Sequence, residues 1–169
     1  LFPWGLQVPL PEDAPQVETE EEFRFGYLAR ISELAVLERH DAGDYIATHL
    51  RYPLIYGPRQ LIPMEWRVMR RVLDGRKHIV LPDDGHILFS RGYAVNMAHA
   101  VLLAVDNARV SGGKIYNVAD IHQFTLGQWV EVIANAMDTK LEIVGIPGDY
   151  AYPARELMIG RTEMTHQLF

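Results

Sequence analysis

The chain has 169 residues, 49% hydrophobic and 22% charged, an ordinary globular composition able to bury one sizeable core. A net charge of -6 and a pI near 5.6 give no electrostatic footprint for nucleic acid and no basic run to grip an anionic membrane, so the expected partner is a small molecule. Cysteine is absent, which excludes disulfides and thiolate metal sites and points to a reducing, cytoplasmic setting.

Residues 1–19 hold Pro3, Pro9, Pro11 and Pro15 among acidic residues and read as an extended loop lying over a surface. From 20 to 40, Phe23, Tyr27, Ile31 and Leu34 recur at steps of three or four and predict an amphipathic helix stopped by Gly43. Residues 45–56 form a β-rich run, and Pro53 marks where ladder pairing must stop before the loop YGPRQ. A second helix is expected over 63–74, with Trp66, Met69 and Leu73 on one face and Gly75 as its stop. Residues 78–81 predict a short strand, Pro82 to Gly85 a turn, and 87–89 another strand. The almost uniformly apolar run 94–107 predicts a helix buried on most sides. Its longest apolar stretch, 97–105, is interrupted by His99 and is shorter than the ~20 residues that span a bilayer. A strand follows at 114–118. Thr125 with Gln128 makes a capping box for a helix whose face carries Trp129, Val132, Ile133 and Ala136, and 141–146 is a last strand ended by Pro147. Helices and strands alternate throughout, which predicts an α/β fold with parallel pairing.

Four blocks now carry a resemblance. They are RYPLIYGPRQ (51–60), VLDGRKHIVLPDDG (72–85), RGYAVNMAHAVLLAV (91–105) and KIYNVADIHQFTLGQWVEVIANAM (114–137). In this order they resemble the NAD-dependent epimerases and dehydratases of the extended short-chain dehydrogenase/reductase family. The resemblance implies a partial Rossmann-type parallel sheet plus the smaller C-terminal substrate-binding subdomain. It places both in one truncated domain, 1–169, with 1–60 ending the Rossmann-type part and 61–169 mainly binding substrate. The family holds the pyrophosphate of NAD or NADP on a Gly-rich turn at a helix N-terminus. No G-x-x-G-x-x-G or G-x-G-x-x-G occurs here, so the parent is expected to bind NAD(P) and this chain alone is not. The sequence also opens on Leu1 without a basic leader, and it reads as cut from something longer.

Family chemistry rests on a Tyr with a Lys four residues later, the cation lowering the phenol's pKa for proton transfer. Alignment on Glu33 puts Phe25 and Ala29 at those positions; alignment on the real phenol, Tyr27, puts Ile31 where Lys should be. Tyr27 therefore reads either as an unpartnered proton donor or as a packing residue, with Arg30 the nearest cation at i+3. Leu54 stands where many members have a substrate-holding Asn. Phe89 matches the Arg that holds a diphosphate, with Arg91 two positions on, which argues against a nucleotide sugar. Tyr56, Arg59, Arg91 and Tyr93 lie near the carboxyl ends of strands and read either as pocket lining or as loop packing. The backbone at Tyr52, Pro53 and Leu54 is implied to approach the nicotinamide.

The seven His residues show no H-x-x-x-H or H-E-x-x-H spacing, so no metal site is expected, and Asp83-Asp84 reads as a turn. Two functions stay open. One is a piece of an NAD(P)-dependent oxidoreductase or isomerase acting on a small polar, sugar-derived metabolite. The other is a binding or assembly module that has lost the Tyr/Lys pair. By the same resemblance, helix 20–40 would join two subunits into a homo-oligomer.

Overall fold

The computed structural model describes residues 9–60, 63–147 and Tyr150. Helices α1 (Glu20–Asp41), α2 (Met64–Leu73), α3 (Ala94–Asp106), α4 (Ala108–Ser111) and α5 (Leu126–Ala136) alternate with short strands. The strands are β1 (His49–Arg51), β2 (Leu54–Tyr56), β3 (His78–Pro82), β4 (Leu88–Phe89), β5 (Arg91–Tyr93), β6 (Ile115–Asn117), β7 (Phe124–Thr125) and β8 (Glu142–Ile146). β1 pairs with β6, β2 with β5 and β3 with β8, all parallel, while β4 and β7 pair antiparallel. The expected α/β order with parallel pairing is present.

The β-rich run 45–56 is two strands rather than one. Pro53 has no N–H to donate, and across the Tyr52-Pro53 break the chain leaves the β6 partner for the β5 partner. β1, before the expected division at residue 60, pairs with β6, after it.

The core lies between α2, β3 and α5. Val68, Ile79, Leu81, Leu126 and Val130 are essentially inaccessible, and Phe89, Trp129, Ile133 and Leu141 close around them. Each such side chain stabilises by ~1.5–3 kcal/mol relative to exposure. α5 enters this core through the expected capping box: Gln128 N–H donates to Thr125 Oγ1 at 3.1 Å, and Thr125 N–H donates to Gln128 Oε1 at 2.9 Å. The Pro82 to Gly85 turn is a 3-10 turn with Asp83 and Asp84 at φ 48° and 53°. Gly85, at φ 75°, is required there because a Cβ would stand 2.8 Å from the Gly127 backbone nitrogen.

Three expectations about apolar faces are corrected. α1 turns Leu28, Ile31 and Leu34 outward and buries Gly26 and Glu33, because its inward contact is ionic. Arg51, itself buried, donates from Nε to Glu33 Oε2 at 2.8 Å and from Nη2 to Oε1 at 2.6 Å; His49 and Gln16 reach the same carboxylate. Burial raises the Glu33 pKa, but bonds from Arg51 and Gln16 and the Arg51 charge outweigh it and hold the carboxyl below its ordinary value. α3 buries Met97 but exposes Val101, Leu102, Leu103 and Val105, since no described element covers that side. On α2, Trp66 and Leu73 are exposed and Val68 points inward. The proline-rich segment does lie over a surface in its described part. Arg51 Nη1 donates to Glu12 O at 2.8 Å and Asn117 Nδ2 to Leu10 O at 2.8 Å. Pro3 lies outside the described residues.

Candidate active site

β2 and β5 run parallel with Leu54 opposite Arg91 and Tyr56 opposite Tyr93. Side chains two apart share a face of a strand, so this register gathers the end of β2 and the start of α3 around one opening. The opening is a cleft of about 580 Å³ walled by Tyr56, Arg91 and Tyr93, by Phe124 and Trp129, and by Asp120 from the loop after β6. This is the carboxyl-end position at which open α/β sheets bind ligands. Gly57 sits at its rim at φ 114°, where a Cβ would fall 2.7 Å from the Tyr93 ring.

The walls are aromatic. Tyr56 stands edge-on to Trp129 with centroids 4.9 Å apart and lies 5.5 Å from Tyr93; Phe124 is 5.9 Å from Trp129. Arg91 is only 4% exposed, its guanidinium carbon 4.4 Å from the Trp129 ring centroid and 5.5 Å from that of Phe89. Its Nε and Nη1 have no hydrogen-bond acceptor among the described residues. Burial pulls its pKa down to about 10, against the Glu65 charge that favours the cation, so it stays charged at neutral pH.

Asp120 lies beside β5, its own N–H donating to Arg91 O at 2.8 Å. Its Oδ2 accepts from Tyr93 N–H at 3.0 Å, its Oδ1 accepts from Asn96 Nδ2 at 2.8 Å, and its charge acts on the nearby Tyr56 phenol. Burial, followed by Asp120, pushes the Tyr56 phenol up to about 12. Tyr56 is therefore a hydrogen-bond donor at neutral pH and a poor base. Sequence reasoning missed Asp120; the available signal was an acid just beyond the carboxyl end of the strand holding Tyr116 and Asn117.

The other expected residues lie elsewhere. Arg59 is exposed in a turn at φ 64° and does not line the cleft. Tyr27 is half-buried on α1 and also stands apart from the cleft, while Arg30 donates from Nη1 to Val17 O at 3.0 Å. Tyr52 donates its hydroxyl to Met97 O at 3.2 Å, fastening the Pro53 break to α3, and the Leu54 side chain is exposed. Among the described residues no three His, Asp or Glu side chains stand together as a metal site, and no helix is long and apolar enough to cross a membrane.

The first turns of α1, α2 and α5 do not fit a dinucleotide pyrophosphate. α1 opens with Glu20, Glu21 and Glu22, α2 with Glu65, and the N-terminal amides of α5 are engaged by their own capping box.

This order of α/β elements, with its cleft at the strand ends, belongs to a known class. The family model described as "NAD dependent epimerase/dehydratase family" matches residues 2–119, and the chain belongs to that family. No curated protein sequence matches it. Among solved structures, it is similar to a UDP-N-acetylglucosamine 4-epimerase from Methanobrevibacter ruminantium in complex with UDP-N-acetylmuramic acid. That match has 17% identity and TM-score 0.69 over 99% of this chain and 50% of the other. A dTDP-glucose 4,6-dehydratase from Bacillus anthracis in complex with NAD matches at 18% identity and TM-score 0.64, over 85% and 46% of the two chains. A UDP-glucose 4-epimerase from Thermus thermophilus, also with NAD, matches at 23% identity and TM-score 0.56, over 82% and 47%. These likenesses establish the Rossmann-type fold, and the chain spans about half the length of each of these structures.

Proposed function

We propose that this chain is the substrate-side part of an NAD(P)-dependent sugar epimerase/dehydratase-like oxidoreductase or isomerase acting on a small polar metabolite. The observation that carries the reading is the convergence of Tyr56, Arg91 and Tyr93 with Asp120 on one aromatic cleft at the strand ends. NAD or NADP belongs to the longer parent, where it supplies hydride transfer. The proposed tasks of this chain are to hold the substrate between the Trp129 wall and Asp120 and to exclude water from it. Residues 1–60 are proposed to end the cofactor-binding part and 61–169 to serve mainly the substrate. Tyr52, Pro53 and Leu54 are proposed to edge the nicotinamide through their backbone.

A second reading is a binding module without catalysis. It is favoured by Phe25, 74% exposed at the expected Tyr position, and by Ala29 at the expected Lys position. Tyr27 decides between them as the phenol left on α1. The test is Tyr27→Phe in a protein carrying this chain joined to a Gly-rich cofactor turn, assayed for NAD(P)-linked turnover of sugar substrates and for thermal melting. A fall of ~10²-fold with an unchanged melt is expected for a lost general acid. Unchanged turnover removes Tyr27 from the chemistry, and no turnover in the unsubstituted protein leaves the binding module. The outward Phe25, Leu28, Ile31 and Leu34 support self-association through α1. The lack of cysteine supports a reducing, cytoplasmic setting.

A further inference from the structure

Arg91 presents a physical problem that no described residue solves. A guanidinium has five N–H donors, and leaving a buried charged donor without an acceptor costs several-fold more than a neutral one. Here Nε and Nη1 are buried without a bond among the described residues, in a side chain that sits over Trp129 and lines the cleft. Glu65 lies near enough to favour the cation, yet its Oε2 accepts from Gln60 Nε2 at 2.8 Å and its Oε1 is also without a bond. The ionic attraction therefore does not satisfy the donors of Arg91. Arg91 lines the cleft, so an acceptor entering there can approach its guanidinium.

The charge around the cleft restricts what that acceptor is. Arg91 is the one Lys or Arg side chain lining the cleft among the described residues, and the Asp120 carboxylate lines the same space. A diphosphate brings about two negative charges and would set them against Asp120, with Arg91 as the one permanent cation beside the imidazoles of His99 and His122. A single carboxylate matches the guanidinium charge one to one and can take Nε or Nη1 together with Nη2. Asp120 itself accepts from Tyr93 N–H on one oxygen and from Asn96 on the other, and a carboxylate offers about four positions, which leaves room for a ligand hydroxyl. The rings of Tyr56, Tyr93 and Trp129 offer flat apolar surface to the C–H face of a sugar.

We infer that the cleft binds a hydroxylated monocarboxylate of the sugar-acid class, its carboxylate on Arg91 and a hydroxyl on Asp120, and not a nucleoside diphosphate. This rests on the cleft being the substrate site. The test is an NMR titration of the 169-residue chain with D-glucuronate, D-glucose, D-glucose 1-phosphate and UDP, followed at the Trp129 indole N–H. Glucuronate should shift that resonance saturably and bind roughly ten- to a hundredfold more tightly than glucose, the range for a charge-assisted bond. Arg91→Met should erase the difference between glucuronate and glucose. Should that variant fail to fold by thermal melt, Arg91→Lys should retain the preference at reduced strength. Tighter binding of UDP or glucose 1-phosphate overturns the monocarboxylate while the cleft stands, and so does equal binding of glucuronate and glucose. No response at Trp129 to any of the four probes overturns the cleft as the substrate site, and the inference with it.

Discussion

Around α5 the chain is held by apolar packing, with Leu126, Val130 and Leu81 enclosed on all sides. At α1 the most enclosed side chain is a carboxylate, Glu33, gripped by Arg51. The two regions answer the same demand, excluding water from a helix-to-sheet contact, by different physics. Apolar burial is nondirectional and scales with area, so the α5 core tolerates small shifts. A buried ion pair repays its desolvation only while its geometry is kept, because its attraction falls when the bonds to Arg51 lengthen. The consequence for α1 is visible on its other face. With the inward contact made by Glu33, the Leu28, Ile31 and Leu34 stripe is left outside.

The largest effect is expected where that contrast is sharpest. Glu33→Gln should destabilise the chain by about 3–5 kcal/mol, because Arg51 would remain buried without its counter-charge. Urea unfolding measures it, and a loss below ~1 kcal/mol would show that water reaches the pair. Replacing both partners, Glu33→Met with Arg51→Leu, should recover most of the loss, since packed apolar residues often match a buried ion pair.

Leu126→Ala removes a fully enclosed side chain from the other region and should cost about 2–5 kcal/mol by the same measurement. No second substitution should rescue it as the paired change rescues Glu33, because the cavity has no charge to rebalance.

Acid should separate the regions as well. The Glu33 pKa is lower in the folded chain than in the unfolded one, so near pH 4 the unfolded state binds more protons and stability rises with pH. The contribution is complete above the ordinary pKa of 4.5 and is lost as pH falls through the lowered folded value. Unfolding midpoints followed from pH 7 to pH 3 should drop more steeply for the native chain than for Glu33→Gln, and parallel curves would refute the assignment. The smallest effect belongs to the α5 cap: Thr125→Ala should cost about 1 kcal/mol, read as a small fall in Tm with the urea slope unchanged.

Much of this molecule was readable before any coordinates. The capping box at Thr125, the turn at Asp83-Asp84 and the break at Pro53 depend on residues within a few positions of one another, and local chemistry decides them. The same holds for the alternation of helix and strand, and for Tyr56, Arg91 and Tyr93 as neighbours of strand ends. Other features needed the chain to be folded. The stripe on α1 has sound helical spacing, but whether it faces inward depends on Arg51 eighteen residues away in sequence. The apolar run of α3 reads as buried, yet burial requires a covering element, and none is described over Val101 to Val105. Asp120 is one acid among many until β6 and β5 place it beside Tyr93, Asn96 and Tyr56. The sequence by itself determined the order of elements, the turns and the family, because these rest on local periodicity, backbone conformation and residue type. Only the tertiary structure decided which face of each helix is inside and which buried charges lack a partner, because these depend on what lies across the fold.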